Sequence, residues 1–418
     1  MNARYNEPWY LAYALLGVVT VGLVPIILPL WVTQSGTAAH VGLVMAMLNV
    51  GRLSSPLWAT LAERYALHRA LFVAGLGVVG ASLTGLALTT TPLFWLLLAL
   101  AQGVGAAAVA TLANLLIVEA HPKGEWDARI GSLQTFFGGG QVLGLLVAGL
   151  VDRTELHLGL YLAAGLALTG LLFTRGLPAP SSSPPSRKRR SHHLPFVRAH
   201  LHAEPSFGSP TSHFYLAQLR RGVNVRALSS PVVSFLLLWF VLMTSSTMVS
   251  AFYPIWMREL YGLGSSVAAW GFAAAAAAGL LFYAPAARWA ARYGARSVLK
   301  GALSVRVVAA LALAVFALAP LPDYTSALAG ALGPFTVFVV TWSLLSVSST
   351  TLSVSFDLPQ SEALGLYSAV SALAGVAGSL LGGAFAHVLG YEALLVAAAS
   401  GLLVSALLMY HRGTGTGA

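Results

Sequence analysis

Ser55-Pro56-Leu57-Trp58-Ala59-Thr60-Leu61-Ala62-Glu63-Arg64-Tyr65-Ala66-Leu67-His68-Arg69 is a short charged turn held between two long apolar runs. Its frame recurs from Ala286 to Ser297, Ala-Ala-Arg-Trp-Ala-Ala-Arg-Tyr-Gly-Ala-Arg-Ser, where Arg292-Tyr293-Gly294 answers Arg64-Tyr65-Ala66 at a spacing of 228. A repeat at that distance in a 418-residue chain implies two similar halves.

Outward from that turn the chain is apolar almost throughout: 57% hydrophobic, 9% charged, mean hydropathy +0.78. Runs of roughly 20 apolar residues match the length a helix needs to cross a bilayer, and no strand-like alternation competes with them. The reading is an all-α membrane protein of twelve spans, at 9–32, 41–62, 70–88, 92–118, 129–151, 157–174, 230–257, 266–287, 297–319, 326–353, 365–388 and 392–410. The first run is too long for a signal-peptide core and is expected to be retained. The net charge of +10 sits in loops rather than on a basic face, so no nucleic-acid partner is expected. There are no cysteines, hence no disulfide or thiolate metal site.

An even span count puts both termini on one side. Arg4, Arg64, Arg69, Lys123, Arg129, Arg288, Arg292, Arg296, Lys300 and Arg412 fall in loops or span ends on that side, against Arg153 and Arg258 on the other, so the termini are expected in the cytoplasm of a multi-pass cell-membrane protein. Residues 1–175 form the first six-helix bundle and 230–418 the second. Between them, 176–229 turns to Pro, Ser, His and Arg and reads as a cytoplasmic linker. Its Arg187-Lys188-Arg189-Arg190 is expected to lie against anionic lipid. Its histidines, His192, His193, His200, His202 and His213, have no convergent thiol or carboxylate and are read as solvated, with no metal or cofactor implied.

The halves also match within the membrane. Pro29-Leu30-Trp31 ends span one as Pro254-Ile255-Trp256 ends span seven, and Gly131, Gly140, Gly144 and Ala148-Gly149 of span five correspond to Gly365, Ala374, Gly378 and Gly382-Gly383 of span eleven. Small residues at such spacings let helices approach where lipid removes the hydrophobic effect between them.

These motifs resemble those of the major facilitator superfamily. Its loop between spans two and three reads roughly Gly-x-Leu-Ala-Asp-Arg-x-Gly-Arg-Arg. Here Ala59-x-Leu61-Ala62-Glu63-Arg64-Tyr65-Ala66 and His68-Arg69 replace both glycines with alanine and Asp with Glu; the second copy keeps Arg292, Gly294 and Arg296 but has Ala291 at the acidic position. The span-five series is similar to the family's antiporter motif, with Leu145 in place of its Pro, and Gln102-Gly103-x-Gly105 in span four lacks the family's Arg, which is Ala99 here. The resemblance implies two pseudo-symmetric bundles that rock about a small-molecule site lined by spans one, four, seven and ten, and it points to a drug-export branch. It also implies that Glu63, with Arg64, Arg69 and Arg292, latches the cytoplasmic side against the start of span eleven near Gly365, where an anion meets the positive end of a helix.

Arg52 is the least expected residue, since an arginine at mid-span costs roughly 2.5–3.5 kcal/mol on insertion scales. With Asn49 on its face and none of the thirteen Asp and Glu residues at mid-span, two readings stand open: an anion site for substrate, or structural hydrogen bonding. Arg306, mid-span in helix nine, is read as structural. The lack of a membrane-embedded carboxylate leaves Glu119, at the end of span four, as the candidate to carry a coupling proton; otherwise the carrier is a facilitator or uses another ion. Along the expected cavity lie Gln102, Thr111 and Asn114 of span four, Trp239, Thr244 and Thr247 of span seven, and Trp342, Ser346 and Ser349 of span ten, whose hydroxyls also have their own backbone to bond. Such a lining suits an amphipathic organic solute better than a sugar. Export of such compounds by a monomer is the leading reading, uptake or facilitation of an organic anion the second, and a non-transporting sensor a remote third. No convergent acids, histidines or nucleophile suggest an enzyme.

Overall fold

The computed structural model describes residues 7–122, 125–151, 155–178, 230–319, 322–356 and 360–411, and every regular element among them is helical. Eleven helices are each long and apolar enough to cross a bilayer: span one Tyr10–Ser35, span three His68–Leu88, span four Pro92–Ala120, span five Trp126–Ala148, span six Leu156–Phe173, span seven Ser230–Ala251, span eight Ser265–Tyr293, span nine Ala295–Leu318, span ten Tyr324–Ser353, span eleven Gln360–Val388 and span twelve Gly390–His411. Span two supplies the twelfth crossing in two pieces, Ala38–Arg52 and Ser55–Tyr65. Most of the expected linker, including its basic run and histidines, lies outside the described residues.

The break in span two corrects the reading of one continuous helix with Arg52 at its middle. Pro56 has no N–H for the Arg52 carbonyl four residues back, and its ring would clash there. The Ser55 hydroxyl donates to that carbonyl at 2.9 Å, Ser54 Oγ donates to the Gly51 carbonyl at 2.7 Å, and the backbone tightens through Leu53 and Ser54. Arg52 thus ends a helix, where the negative end of the dipole favours a cation. Span eleven also starts earlier than expected, at Gln360 rather than near Gly365, which is buried inside it. Span seven continues beyond its own Pro254 as a short helix, Tyr253–Tyr261.

The charged turn after span two closes through Ala66 in the left-handed conformation, φ 53°, while its counterpart Gly294 has φ 85°. Alanine carries about 1 kcal/mol of strain in such a position that glycine does not. Arg64 and Arg292 each hold the guanidinium 5.5 Å from the centroid of the next tyrosine ring, so the repeat keeps this contact although the two turns differ in backbone, Ala66 with ψ 36° and Gly294 with ψ 138°.

Glycine decides which helices meet. A Cβ on Gly140 would stand 2.1 Å from the Ala14 carbonyl oxygen and one on Gly144 2.2 Å from that of Val18, so span five lies with its backbone on span one. In the second half Gly378 meets the Thr244 carbonyl oxygen at 2.4 Å and Gly382 the Phe252 ring at 2.7 Å, placing span eleven on span seven in the same way. The last glycine of each series faces the other bundle. A Cβ on Gly383 would be 2.8 Å from Cα of Gly42 in span two; one on Gly149 would be 2.2 Å from Nε1 of Trp270 in span eight, which donates to the Leu146 carbonyl at 3.2 Å.

These crossings, with Asn49 Nδ2 donating to Ser379 Oγ at 3.4 Å, run from mid-helix to the end remote from the termini. There Val24–Ser35 of span one also touches Tyr253–Tyr261. Toward the terminus-bearing end, Ser55–Tyr65 makes no extensive contact with span eleven among the described residues. Among those residues the close approaches between the bundles thus gather from mid-helix to the far side.

Candidate functional site

Among the described residues, spans four and ten, which the family resemblance puts at the solute pathway, make no extensive contact with the opposite bundle. In the second half, Phe235 and Trp239 of span seven, Trp342 of span ten, Phe356 just after it and Tyr367 of span eleven gather into one aromatic cluster. Ring centroids lie 6.3 Å apart for Trp239 and Trp342, 5.0 Å for Trp239 and Tyr367, and 5.4 Å for Phe235 and Phe356. Trp239 is fully buried and donates from Nε1 to Ser371 Oγ at 2.7 Å, whereas Trp342 is half-buried and forms the open edge. Tyr367 and Ser349 share a hydroxyl hydrogen bond of 2.9 Å. Trp239 and Trp342, both named from sequence, thus come together with Phe235, Phe356 and Tyr367, which sequence reasoning did not name: Phe235 is one apolar residue among many in span seven, Phe356 lies past the end of span ten, and span eleven carries no periodic aromatic signal.

The hydroxyls divide. Ser346 donates to the Ser343 carbonyl at 3.2 Å and Ser349 to that of Ser346 at 3.2 Å, so both spend a donor on their own helix. Thr244 and Thr247 are buried against span eleven, and neither Oγ1 has a partner among the described residues. In the first half Gln102 is buried with Oε1 unpartnered, and Asn114 donates to the Ala110 carbonyl at 2.9 Å while its Oδ1 has no partner among the described residues. Thr111 is buried on the same span. Orphaned acceptors inside a membrane bundle are costly enough to call for an explanation, and a bound solute or water supplies one. Gly103 and Gly105, beside Gln102, bring span four onto spans two and three, with Cβ approaches of 2.1 Å to the Leu48 carbonyl oxygen and 2.7 Å to that of Gly75.

Arg306 lies near the middle of span nine and is 3% exposed. Its Nε donates to Ser246 Oγ at 3.2 Å and its Nη1 to the Phe338 carbonyl at 2.6 Å and to Thr341 Oγ1 at 3.3 Å. The guanidinium carbon lies 3.6 Å from the Phe338 ring centroid and 5.8 Å from that of Trp342. Arg52, by contrast, is half-buried at its helix end and already engaged within the protein.

The family model of the Major Facilitator Superfamily matches residues 9–358. The chain belongs to that superfamily. It is a multi-pass membrane transporter and not an enzyme. No curated protein matches the sequence. Among solved structures, it is similar to the nucleoside transporter NupG at 16% identity over 97% of this chain and 96% of that one, TM-score 0.74. The human organic anion transporter MFSD10 aligns at 17% identity over 98% and 100%, TM-score 0.61, and an inward-facing bacterial homologue of ferroportin at 13% over 98% and 99%, TM-score 0.69. At such identities these likenesses speak to the fold.

Placed in the superfamily fold, Glu119 sits at the end of span four, 3.0 Å from His68 Nε2 and 38% exposed at its side chain. A proton carried there would be held at the membrane edge, not at the midplane. Arg64 and Arg292 are exposed and Arg69 half-buried, and the Glu63 side chain lies outside what the structure describes. A second charge cluster escaped the sequence reading. Glu7 Oε1 meets Arg129 Nη1 at 2.5 Å and His121 Nε2 at 2.8 Å, Arg129 Nε donates to Glu125 Oε2 at 2.8 Å, and Trp9 Nε1 donates to Glu7 Oε2 at 2.6 Å. The Glu125–Arg129 pair is local, four residues apart at the start of span five; the other contacts tie spans one, four and five at their terminus-bearing ends.

Proposed function

We propose that this transporter exports an amphipathic, planar organic solute by alternating access, the solute stacking at the Trp342 edge of the aromatic cluster. The cluster carries the reading: four aromatic rings from spans seven, ten and eleven and a fifth, Phe356, just after span ten, while the amide oxygens of Gln102 and Asn114 in the other half, without partners among the described residues, are the groups expected to fix polar parts of the solute. Export rests on the similarity of the span-five glycine series to an antiporter motif. Matched probes test the stacking. 2-Naphthol should bind the protein in lipid nanodiscs about two- to tenfold more tightly than its saturated counterpart decahydro-2-naphthol, because ring stacking adds about 0.5–1.5 kcal/mol beyond area. Trp342→Ala should erase that preference. Equal binding of the two by the wild type sinks the planar-solute reading.

In the same reading Glu63 re-engages the start of span eleven when the far side opens. Glu63→Gln should then raise labelling, from the terminus-bearing side, of a single cysteine introduced at Gly365. Unchanged labelling removes the latch.

A further inference from the structure

We infer that Arg306 is an anion-selecting element of the solute site, so that the planar solute carries a negative group. This deepens the proposed function and rests on it. Every partner of the guanidinium is neutral: a serine hydroxyl, a threonine hydroxyl and a backbone carbonyl. Among the described residues no carboxylate pairs with it, and its Nη2 makes no hydrogen bond. An arginine carries five donors in a rigid fork, and three bonds from two nitrogens leave one arm of that fork unused. The group is nevertheless held firmly, flat against Phe338 and bridging span nine to spans seven and ten.

A charge so placed has a cost and a use. At mid-span an uncompensated guanidinium is strongly disfavoured, and stacking with neutral hydrogen bonds offsets only part of that. Its field is weakly screened where water is excluded, and the first ring it meets toward the aromatic cluster is Trp342, 5.8 Å away, which in turn faces Trp239 at 6.3 Å. A solute stacked on the open side of Trp342 lies within roughly 10 Å of the charge, where attraction of an anion and repulsion of a cation each shift affinity by a factor of ten or so. Arg52 offers no such site, because it closes a helix and already has a partner.

The test uses two ions of one shape, naphthalene-2-sulfonate and 2-naphthyltrimethylammonium, titrated onto the full chain in nanodiscs of zwitterionic lipid. The wild type should prefer the sulfonate at least tenfold. Arg306→Met should bring the two within about twofold, while Arg306→Lys, which keeps the charge and loses the fork, should retain most of the preference. If Arg306→Met does not fold, the wild-type ratio and the lysine variant decide. Equal binding of the two ions by the wild type, or an undiminished preference in Arg306→Met, overturns anion selection and leaves the stacking site standing. Binding of neither ion overturns both.

Discussion

Gly383→Leu is expected to reduce solute flux in proteoliposomes to less than about a tenth of the wild-type rate while leaving the protein folded. A leucine Cβ at this position would begin 2.8 Å from Gly42 Cα and 3.1 Å from the Ala38 carbonyl oxygen, and backbone atoms cannot rotate aside. The clash falls between bundles, not within one, so it opposes the far-side closure that alternating access requires. Ser379, fully buried on the same seam beside Asn49, gives the readout. The chain has no cysteine, so Ser379→Cys is a unique label site. In the wild-type background it should resist an impermeant maleimide applied from the far side, and with Gly383→Leu it should react. Normal flux, or a still-protected cysteine, would show that the seam is not the far gate.

Gly140→Val should instead prevent a stable fold, with the midpoint of thermal unfolding in detergent falling by ten degrees or more, or no monodisperse protein recovered. The added Cβ would stand 2.1 Å from the Ala14 carbonyl oxygen and 3.1 Å from the Val18 nitrogen, both backbone atoms of the neighbouring span in the same bundle. Overpacking a core costs about 1–3 kcal/mol where side chains can yield, and more where only helix separation relieves it. Separation would also part Gly144 from Gly22, undoing the seat of span five on span one. Gly139→Ala, one residue away with nothing within 4 Å of its Cβ, is the matched control and should unfold like the wild type. A destabilised control with an unaffected Gly140→Val would contradict the packing argument. Together the two glycine substitutions separate a contact that holds a bundle together from one that is made and broken in the transport cycle.

Most of the architecture was legible because its causes are local. Apolar runs of bilayer length and the glycine series in register require no knowledge of neighbours, and eleven of the twelve expected spans came out as helices of bilayer length near their expected bounds. The miss at span two was also local: Pro56 lies four residues after Arg52, and Ser54-Ser55 stood ready to serve the freed carbonyls. Weighing hydropathy above proline chemistry put Arg52 at the centre of a helix it in fact ends. The candidate site was less legible. Trp239 and Trp342 could be named from their spans, but their packing with Tyr367, and that of Phe235 with Phe356, depends on how separate segments meet.

By itself, then, the sequence determined the class of molecule, the number of crossings and the two-fold repeat, since each follows from the solvent the chain must fold in and from duplication. Tertiary structure alone decided which glycine packs a bundle and which faces the opposite one, because Gly382 and Gly383 are adjacent and differ only in the direction that their helix turns them. It likewise decided that Arg306 is buried with no carboxylate partner among the described residues, whereas Arg52 is half-buried at a helix end. The charge of a side chain is written in its type, but what surrounds it is set by helices that meet only when the chain has folded.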